Sequence, residues 1–191
     1  VARSGNMTKT IILLLLLFGL TIGAHASTPA DPVFRTHGAN LTLRGQGILK
    51  VGYVFTVYNA RLYMEETAPT PAVLQDVAKR LEIHYLRDIR AADLVSVGNQ
   101  TLIRQESPER LASLQERLDR INSWYVDVQA GDQYTLTYVP GVGCELALNG
   151  KKLGTIEGAD FAQAYFGIWL HPRTKYPAFR TALLADHPHP Q

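Results

Sequence analysis

The chain has 191 residues, of which 46% are hydrophobic, and this length and composition fit one globular domain with a sizeable core. Its 19 basic and 17 acidic residues are scattered without a basic run, which argues against a nucleic-acid-binding protein. Cys144 is the single cysteine, so the chain forms no internal disulfide and no zinc site built from several cysteines. Its apolar neighbours predict a buried strand residue.

The N-terminal segment is typical of a secretory signal peptide. Lys9 supplies a positive charge, and residues 11–23 form an apolar run that is short for a membrane span. The sequence Ala-His-Ala at residues 24–26 is an A-x-A cleavage site, so we expect a mature chain of 165 residues that begins near Ser27. This chain would be periplasmic or secreted, without a membrane span and with a formal net charge of zero. Residues 1–6 precede a methionine and are not expected to belong to the folded domain.

The first half of the mature chain is dominated by β patterns. Residues 27–37 are predicted to be a flexible leader. Residues 41–64 are rich in aromatic and β-branched side chains, which predicts a β-hairpin that bends within residues 49–52. A proline-started short helix over residues 72–78 and a strand over residues 80–87 are expected to follow.

The second half combines helices with three further strands. Ser107 and Pro108 are typical of the N-cap and first position of a helix, and Asn149-Gly150 is typical of a tight hairpin turn. The predicted elements are helices over 91–103, 107–122, 161–170 and 176–184, strands over 133–139, 144–148 and 151–157, and a frayed tail over 187–191. This order predicts an α+β fold with a large, mainly antiparallel sheet.

Several short motifs, taken in order, resemble the chalcone isomerase-like family, in its bacterial branch. They include FTVYNARLYM at residues 55–64, YLRDI at 85–89, LNG at 148–150 and GIWL at 167–170. The resemblance covers about residues 38–184. It implies a chalcone isomerase-like domain over residues 38–186, in which helices pack on one face of the sheet and a ligand cleft lies between them.

The same resemblance implies positions for functional residues. The plant enzymes close a ring in a chalcone, with an arginine favouring the phenolate and polar groups at the ketone and at the far ring. The arginine position corresponds to Gln46, or to Lys50 if the hairpin is shifted. A threonine position corresponds to Tyr58, which is a tyrosine in the fatty-acid-binding members. The plant tyrosine and asparagine correspond to Leu111 and Leu118, which argues against chalcone cyclisation.

The sequence therefore predicts an exported, non-catalytic binder of an apolar small molecule such as a fatty acid. Both carboxylated and uncarboxylated ligands fit this expectation. Its expected ligand-binding residues are Gln46, Lys50, Thr56 and Tyr58, and no metal, cofactor or catalytic residue is predicted. Arg61 should lie on the strand face opposite Tyr58 because side chains alternate along a strand. Two alternatives stay open. One is an isomerase or lyase acting on a chalcone-like or other small enone, and the other is a non-catalytic partner-binding protein, for which Tyr58 would be a core residue.

Overall fold

A computed structural model describes residues 34–52 and 55–186, so the predicted signal peptide and the tail over 187–191 lie outside the described residues. Seven strands form one antiparallel sheet in which each strand pairs with its neighbours in sequence. The strands are β1 (Phe34–Thr36), β2 (Ala39–Val51), β3 (Phe55–Glu65), β4 (Lys79–Tyr85), β5 (Gln133–Val139), β6 (Gly143–Leu148) and β7 (Lys151–Ile156). The predicted α+β fold with an antiparallel sheet is confirmed.

Four helices complete the domain. Among the described residues, α1 (Ala91–Gln105) and α2 (Pro108–Asn122) lie between β4 and β5 in sequence, and α3 (Ala159–Leu170) and α4 (Pro177–Leu183) follow β7. The Ser107 side chain accepts a hydrogen bond from the backbone N–H of Arg110 at 3.3 Å, and Pro108 occupies the first helical position. This capping starts α2 where the sequence predicts it.

Two segments differ from the predictions. The helix expected over residues 72–78 is absent, and a single 3-10 turn at Thr70–Ala72 precedes irregular turns. The N–H of Gln75 bonds to the carbonyl oxygen three residues before it at 2.8 Å, and that of Val77 to the carbonyl oxygen two residues before it at 2.9 Å, so the segment forms tight turns rather than a helical ladder. The Lys79 ammonium binds the carbonyl oxygens of Gln75 and Val77 at 2.7 and 3.0 Å and stabilises these turns. The short strand β1 lies within the predicted leader and pairs with β2.

A β-bulge changes which face of β2 points towards the helices. The register shifts between Leu43 and Gly45, so that Leu43 pairs with Tyr63 whereas Gly45 pairs with Leu62. Leu43 and Tyr63 then belong to a small cluster on one face, and Leu62 belongs to the main core on the other. Beyond the bulge, alternate residues of β2 starting at Gly45 face the helices.

Two glycines allow α4 to lie directly against β2. A Cβ atom built on Gly45 would lie 2.5 Å from the Leu183 carbonyl oxygen, and one on Gly47 would lie 3.0 Å from the Phe179 ring. Neither contact leaves room for a side chain, so the absence of a Cβ is what permits this close approach. These glycines thereby fix the wall of the site described below.

The main core lies between the helices and the β3–β6 part of the sheet. Cys144 on β6 is buried, as predicted, and burial raises the pKa of its thiol to about 12. Within the described residues, no helix has the length and the apolar composition needed to cross a membrane.

Candidate functional site: an aromatic cavity between sheet and helices

A cavity of about 420 Å³ lies between the β2–β4 part of the sheet and helices α1, α3 and α4. Its volume lies within the range that proteins use for small organic ligands. The lining is mainly apolar and aromatic and includes Leu49, Val51, Val57, Tyr58, Ile83, Tyr85, Ile89, Leu94, Val97, Gly98, Tyr125, Tyr165, Ile168, Trp169, Tyr176 and Phe179.

Tyr58 lies on β3 at the centre of this lining and is 9% exposed. The Trp169 indole Nε1–H donates a hydrogen bond to the Tyr58 hydroxyl oxygen at 3.1 Å. An indole nitrogen is only a donor, so the Tyr58 proton is not used in this bond. Because burial raises the pKa of Tyr58, the phenol keeps that proton at neutral pH and can donate it.

A second pair of phenols lies in the same cavity. The hydroxyl oxygens of Tyr125 and Tyr165 are 2.8 Å apart, and either can donate to the other. Whichever donates, the second keeps a proton for another acceptor. Burial raises the pKa of both groups, so both remain neutral.

Tyr85 supplies a further hydroxyl. It pairs with Tyr58 across β3 and β4, and their ring centroids are 5.8 Å apart in an edge-to-face contact. Tyr85 is 3% exposed and lines the cavity, and among the described residues its hydroxyl has no hydrogen-bond partner. Burial, reinforced by Tyr125, raises the pKa of Tyr85 well above its ordinary value.

The side chains that carry or contact these hydroxyl groups are connected in a closed cycle of contacts, which we call the aromatic cycle. Edge-to-face or tilted ring contacts and the two hydrogen bonds above connect consecutive members, and such ring contacts stabilise aromatic clusters. The members of the aromatic cycle, in order of contact, are Tyr58, Trp169, Tyr165, Tyr125, Tyr134 and Tyr85, which contacts Tyr58 again. The Tyr134 hydroxyl accepts from the Val126 N–H at 3.0 Å, so it already has a partner.

Other polar side chains in the lining are already bonded to the protein. Thr101 donates to the Val97 carbonyl oxygen at 2.8 Å, and Asn122 donates to the Asn99 side-chain oxygen at 3.1 Å. The Thr174 hydroxyl accepts from a backbone N–H at 3.2 Å. The hydroxyl groups of Tyr58, Tyr85 and the Tyr125–Tyr165 pair are therefore donors available to a ligand, as is the Thr174 hydroxyl, which accepts and so keeps its own proton.

Of the four residues predicted to bind the ligand, the structure brings Tyr58 to the cavity. Gln46 is exposed and pairs with Arg61 on the opposite face of the sheet, because the bulge in β2 directs Gly45, Gly47 and Leu49 towards the helices. The predicted placement of Arg61 away from Tyr58 agrees with this register. Lys50 is exposed and pairs with Thr56 nearer the hairpin tip, and neither lines the cavity.

The helix that lines the cavity also differs from the one that the resemblance indicates. Leu111 and Leu118 lie on α2 and neither lines the cavity; Leu118 packs in the main core. It is α1 that faces the cavity, through Leu94, Val97 and Gly98.

Tyr58 is the member of the aromatic cycle that the sequence indicates as a site residue, and the other members are not predicted. Trp169 is half-buried and binds Tyr58. Tyr165 and Trp169 are four residues apart on α3, so their shared helix face could have been recognised. Tyr125 lies between α2 and β5, outside any periodic segment, and carries no such signal. The described residues contain no group of three His, Cys, Asp or Glu side chains placed to hold a metal ion.

A sheet covered by helices on one face, with an aromatic cavity between the two layers, defines the architecture of this α+β domain. Residues 25–185 match the chalcone isomerase-like family, and the chain belongs to that family. Its fold is similar to that of a fatty-acid binding protein of Arabidopsis thaliana, with a TM-score of 0.61 and 14% identity over 80% of this chain and 90% of the plant chain. No curated protein matches the sequence.

Proposed function

We propose that this protein binds an apolar small molecule, such as one with a fatty acyl chain, in the cavity beside Tyr58. The observation that carries the proposal is an apolar volume of about 420 Å³ with buried phenol donors at its centre. The name of the plant structural neighbour, a fatty-acid binding protein, supports the same class of ligand.

The cavity favours a binder over the two alternatives. A domain that used only its surface to bind partners would need no cavity, and a Tyr58 in a filled core would have its hydroxyl proton engaged by protein. No arginine of the described chain lines the cavity, and its lining lysine, Lys175, is exposed. Chalcone ring closure needs a cation that favours the phenolate, so we expect no flavanone formation above the spontaneous rate.

Gly98 on α1 allows the cavity to be closed without disturbing the core. A Cβ atom there would meet its nearest neighbour, Ile168 Cδ1, at 3.8 Å, which is an ordinary contact. Gly98→Leu should therefore extend into the cavity, and leucine also favours a helix interior more than glycine does. We expect this variant to fold with undiminished stability and to lose binding of an apolar probe such as methyl decanoate, measured by isothermal titration calorimetry.

Gly98→Ala is the matched control, because it adds a methyl group and leaves most of the volume open. It should keep binding and gain up to about 1 kcal/mol of stability from helix propensity. Wild-type affinity in a folded Gly98→Leu variant, or no binding of the probe by the wild type, would contradict the proposed function.

We also propose that the protein is exported and cleaved near Ala26, on the strength of the apolar run and the cleavage motif in residues 11–26. N-terminal sequencing of the protein recovered from its native host should begin at or near Ser27. Recovery of a full-length chain from the cytoplasm would contradict export.

A further inference from the structure

The buried phenols of the cavity all offer the same kind of interaction. Tyr58 and Tyr85 each have a hydroxyl proton without an acceptor among the described residues, and the Tyr125–Tyr165 pair has one more. A buried donor without an acceptor is unfavourable, so these groups favour a ligand that brings an oxygen acceptor.

The charges that line the cavity lie at its exposed edge. Asp93 on α1 is exposed and is held by the Arg90 guanidinium, with nitrogen–oxygen distances of 2.9 and 3.0 Å. Lys175, between α3 and α4, is also exposed. Within the described chain, these two are the charged side chains of the lining.

The surroundings of each phenol are neutral. The side chains that influence the ionisation of Tyr58 are Trp169 and Tyr176, and those that influence Tyr85 are other tyrosines. The Tyr125 ring contacts Tyr134, and the Tyr165 hydroxyl is bonded to that of Tyr125 while its ring contacts Trp169. Within the described chain, the ammonium group of the lining, that of Lys175, is exposed, so no buried cation of the lining balances an anion at the phenols.

Hydrogen bonding and charge together discriminate between ligands. An ester carbonyl and a carboxylate both accept hydrogen bonds from phenols, so the donors alone do not distinguish them. Moving a carboxylate from water into a cavity without a cation is strongly unfavourable, whereas an uncharged carbonyl loses much less hydration.

We propose, on the basis of the proposed function, that the ligand presents an uncharged carbonyl oxygen to the tyrosines. The ligand class is a fatty acyl ester or a similar neutral acyl compound, and a free fatty acid binds only in its protonated form. The alkyl chain occupies the apolar part of the lining contributed by β2, α1 and α4, which includes Leu49, Leu94, Val97 and Phe179.

The test compares methyl decanoate with decanoic acid by isothermal titration calorimetry between pH 6 and pH 9. We expect the ester to bind with an affinity that changes little over this range. The affinity for the acid should fall about tenfold for each pH unit, because its protonated fraction falls tenfold once the pH exceeds a carboxyl pKa near 4 to 5. The ester series also reports any titration of the protein, including that of Asp93 or Lys175.

The outcomes separate this inference from the proposed function. An acid affinity that is constant with pH, or an acid that binds more tightly than the ester at pH 8, would show that the carboxylate is accepted and would overturn the inference while leaving the binder intact. Failure of both ligands to bind the folded protein would overturn the proposed function and the inference together.

Variants that each lack one phenol hydroxyl test whether these groups provide the hydrogen bonds that bind the ester. Tyr58→Phe and Tyr85→Phe should each weaken ester binding roughly 2- to 10-fold, the loss expected for one hydrogen bond. Neither should change the binding of decane, which has no acceptor. Tyr63→Phe is the control, because that phenol is buried in the small cluster on the other face of the sheet and does not line the cavity. Equal losses for ester and decane would show that the variants act through packing and would overturn the role of the donors.

Discussion

Helix α3 contributes to two regions that differ in whether buried polar groups have hydrogen-bond acceptors within the protein. We call the part of the core around Lys79, Tyr138 and Phe166 the filled region, and the aromatic cavity around Tyr58 the open region. Phe166 is completely buried in the filled region, whereas Trp169, three residues later, lines the open region.

In the filled region the protein satisfies its own polar atoms. The Lys79 ammonium donates to two backbone carbonyl oxygens and lies 4.7 Å from the centre of the Tyr138 ring, while the Tyr138 hydroxyl donates to Asp76. In the open region the phenol protons have no such acceptors. The two regions therefore have a similar aromatic content and differ in whether their hydroxyl protons have acceptors within the protein.

The largest expected effect tests whether the two regions differ in packing. Phe166→Ala should lower the free energy of unfolding by about 3–5 kcal/mol, because it removes a buried ring from close-packed surroundings. Ile168→Ala, which enlarges an existing cavity, should cost less than half as much. Urea denaturation of both variants checks this, and equal losses would mean that the open region is packed like a core.

A smaller effect is expected where α4 borders the open region. Gly45→Ala would place a methyl group 2.5 Å from the Leu183 carbonyl oxygen, so α4 must shift. We expect a loss of about 1–3 kcal/mol in stability, as for other overpacked positions, together with weaker binding because α4 carries Phe179 into the cavity wall. Thermal denaturation and calorimetry measure the two effects. Unchanged stability would show that α4 does not depend on the close approach.

The smallest effect is a pH dependence that belongs to the filled region. Burial lowers the pKa of Lys79 to about 8. Above this value the folded state has lost a proton that the unfolded state keeps up to about pH 10.5, so stability should rise with pH between these values and stay level below about pH 8, where both states are protonated. We expect a rise of about 1–2 kcal/mol from pH 8 to pH 9.5 in denaturation experiments. Lys79→Met should abolish it, and a rise that persists in this variant would assign it elsewhere.

Local sequence signals predict the fold well because the forces that set it are local. Alternating apolar residues define the strands, and Ser107 with Pro108 defines the start of α2. The helix expected over residues 72–78 does not form, because its N–H groups make tight turns, and the Lys79 ammonium that stabilises these turns depends on where β4 packs.

The site is less predictable because it depends on register and on contacts between distant elements. The resemblance to the chalcone isomerase-like family indicates Tyr58, but Gln46 could not be placed, since no local signal marks the bulge that directs it to the other face. The Tyr125–Tyr165 contact joins residues 40 positions apart, and the Trp169–Tyr58 bond joins residues 111 apart. Such pairs become visible only after the sheet and helices are assembled.

The two tryptophans of the chain provide the most direct test that the open region is the ligand site. Trp169 lines the cavity, whereas Trp124 packs against Gly154 on β7 and does not line it. We therefore expect methyl decanoate to cause a saturable change in the fluorescence of a Trp124→Phe variant, which retains Trp169, and little change in a Trp169→Phe variant. Saturable binding that alters only Trp124 emission, or neither emission, would place the ligand outside the cavity and contradict the account.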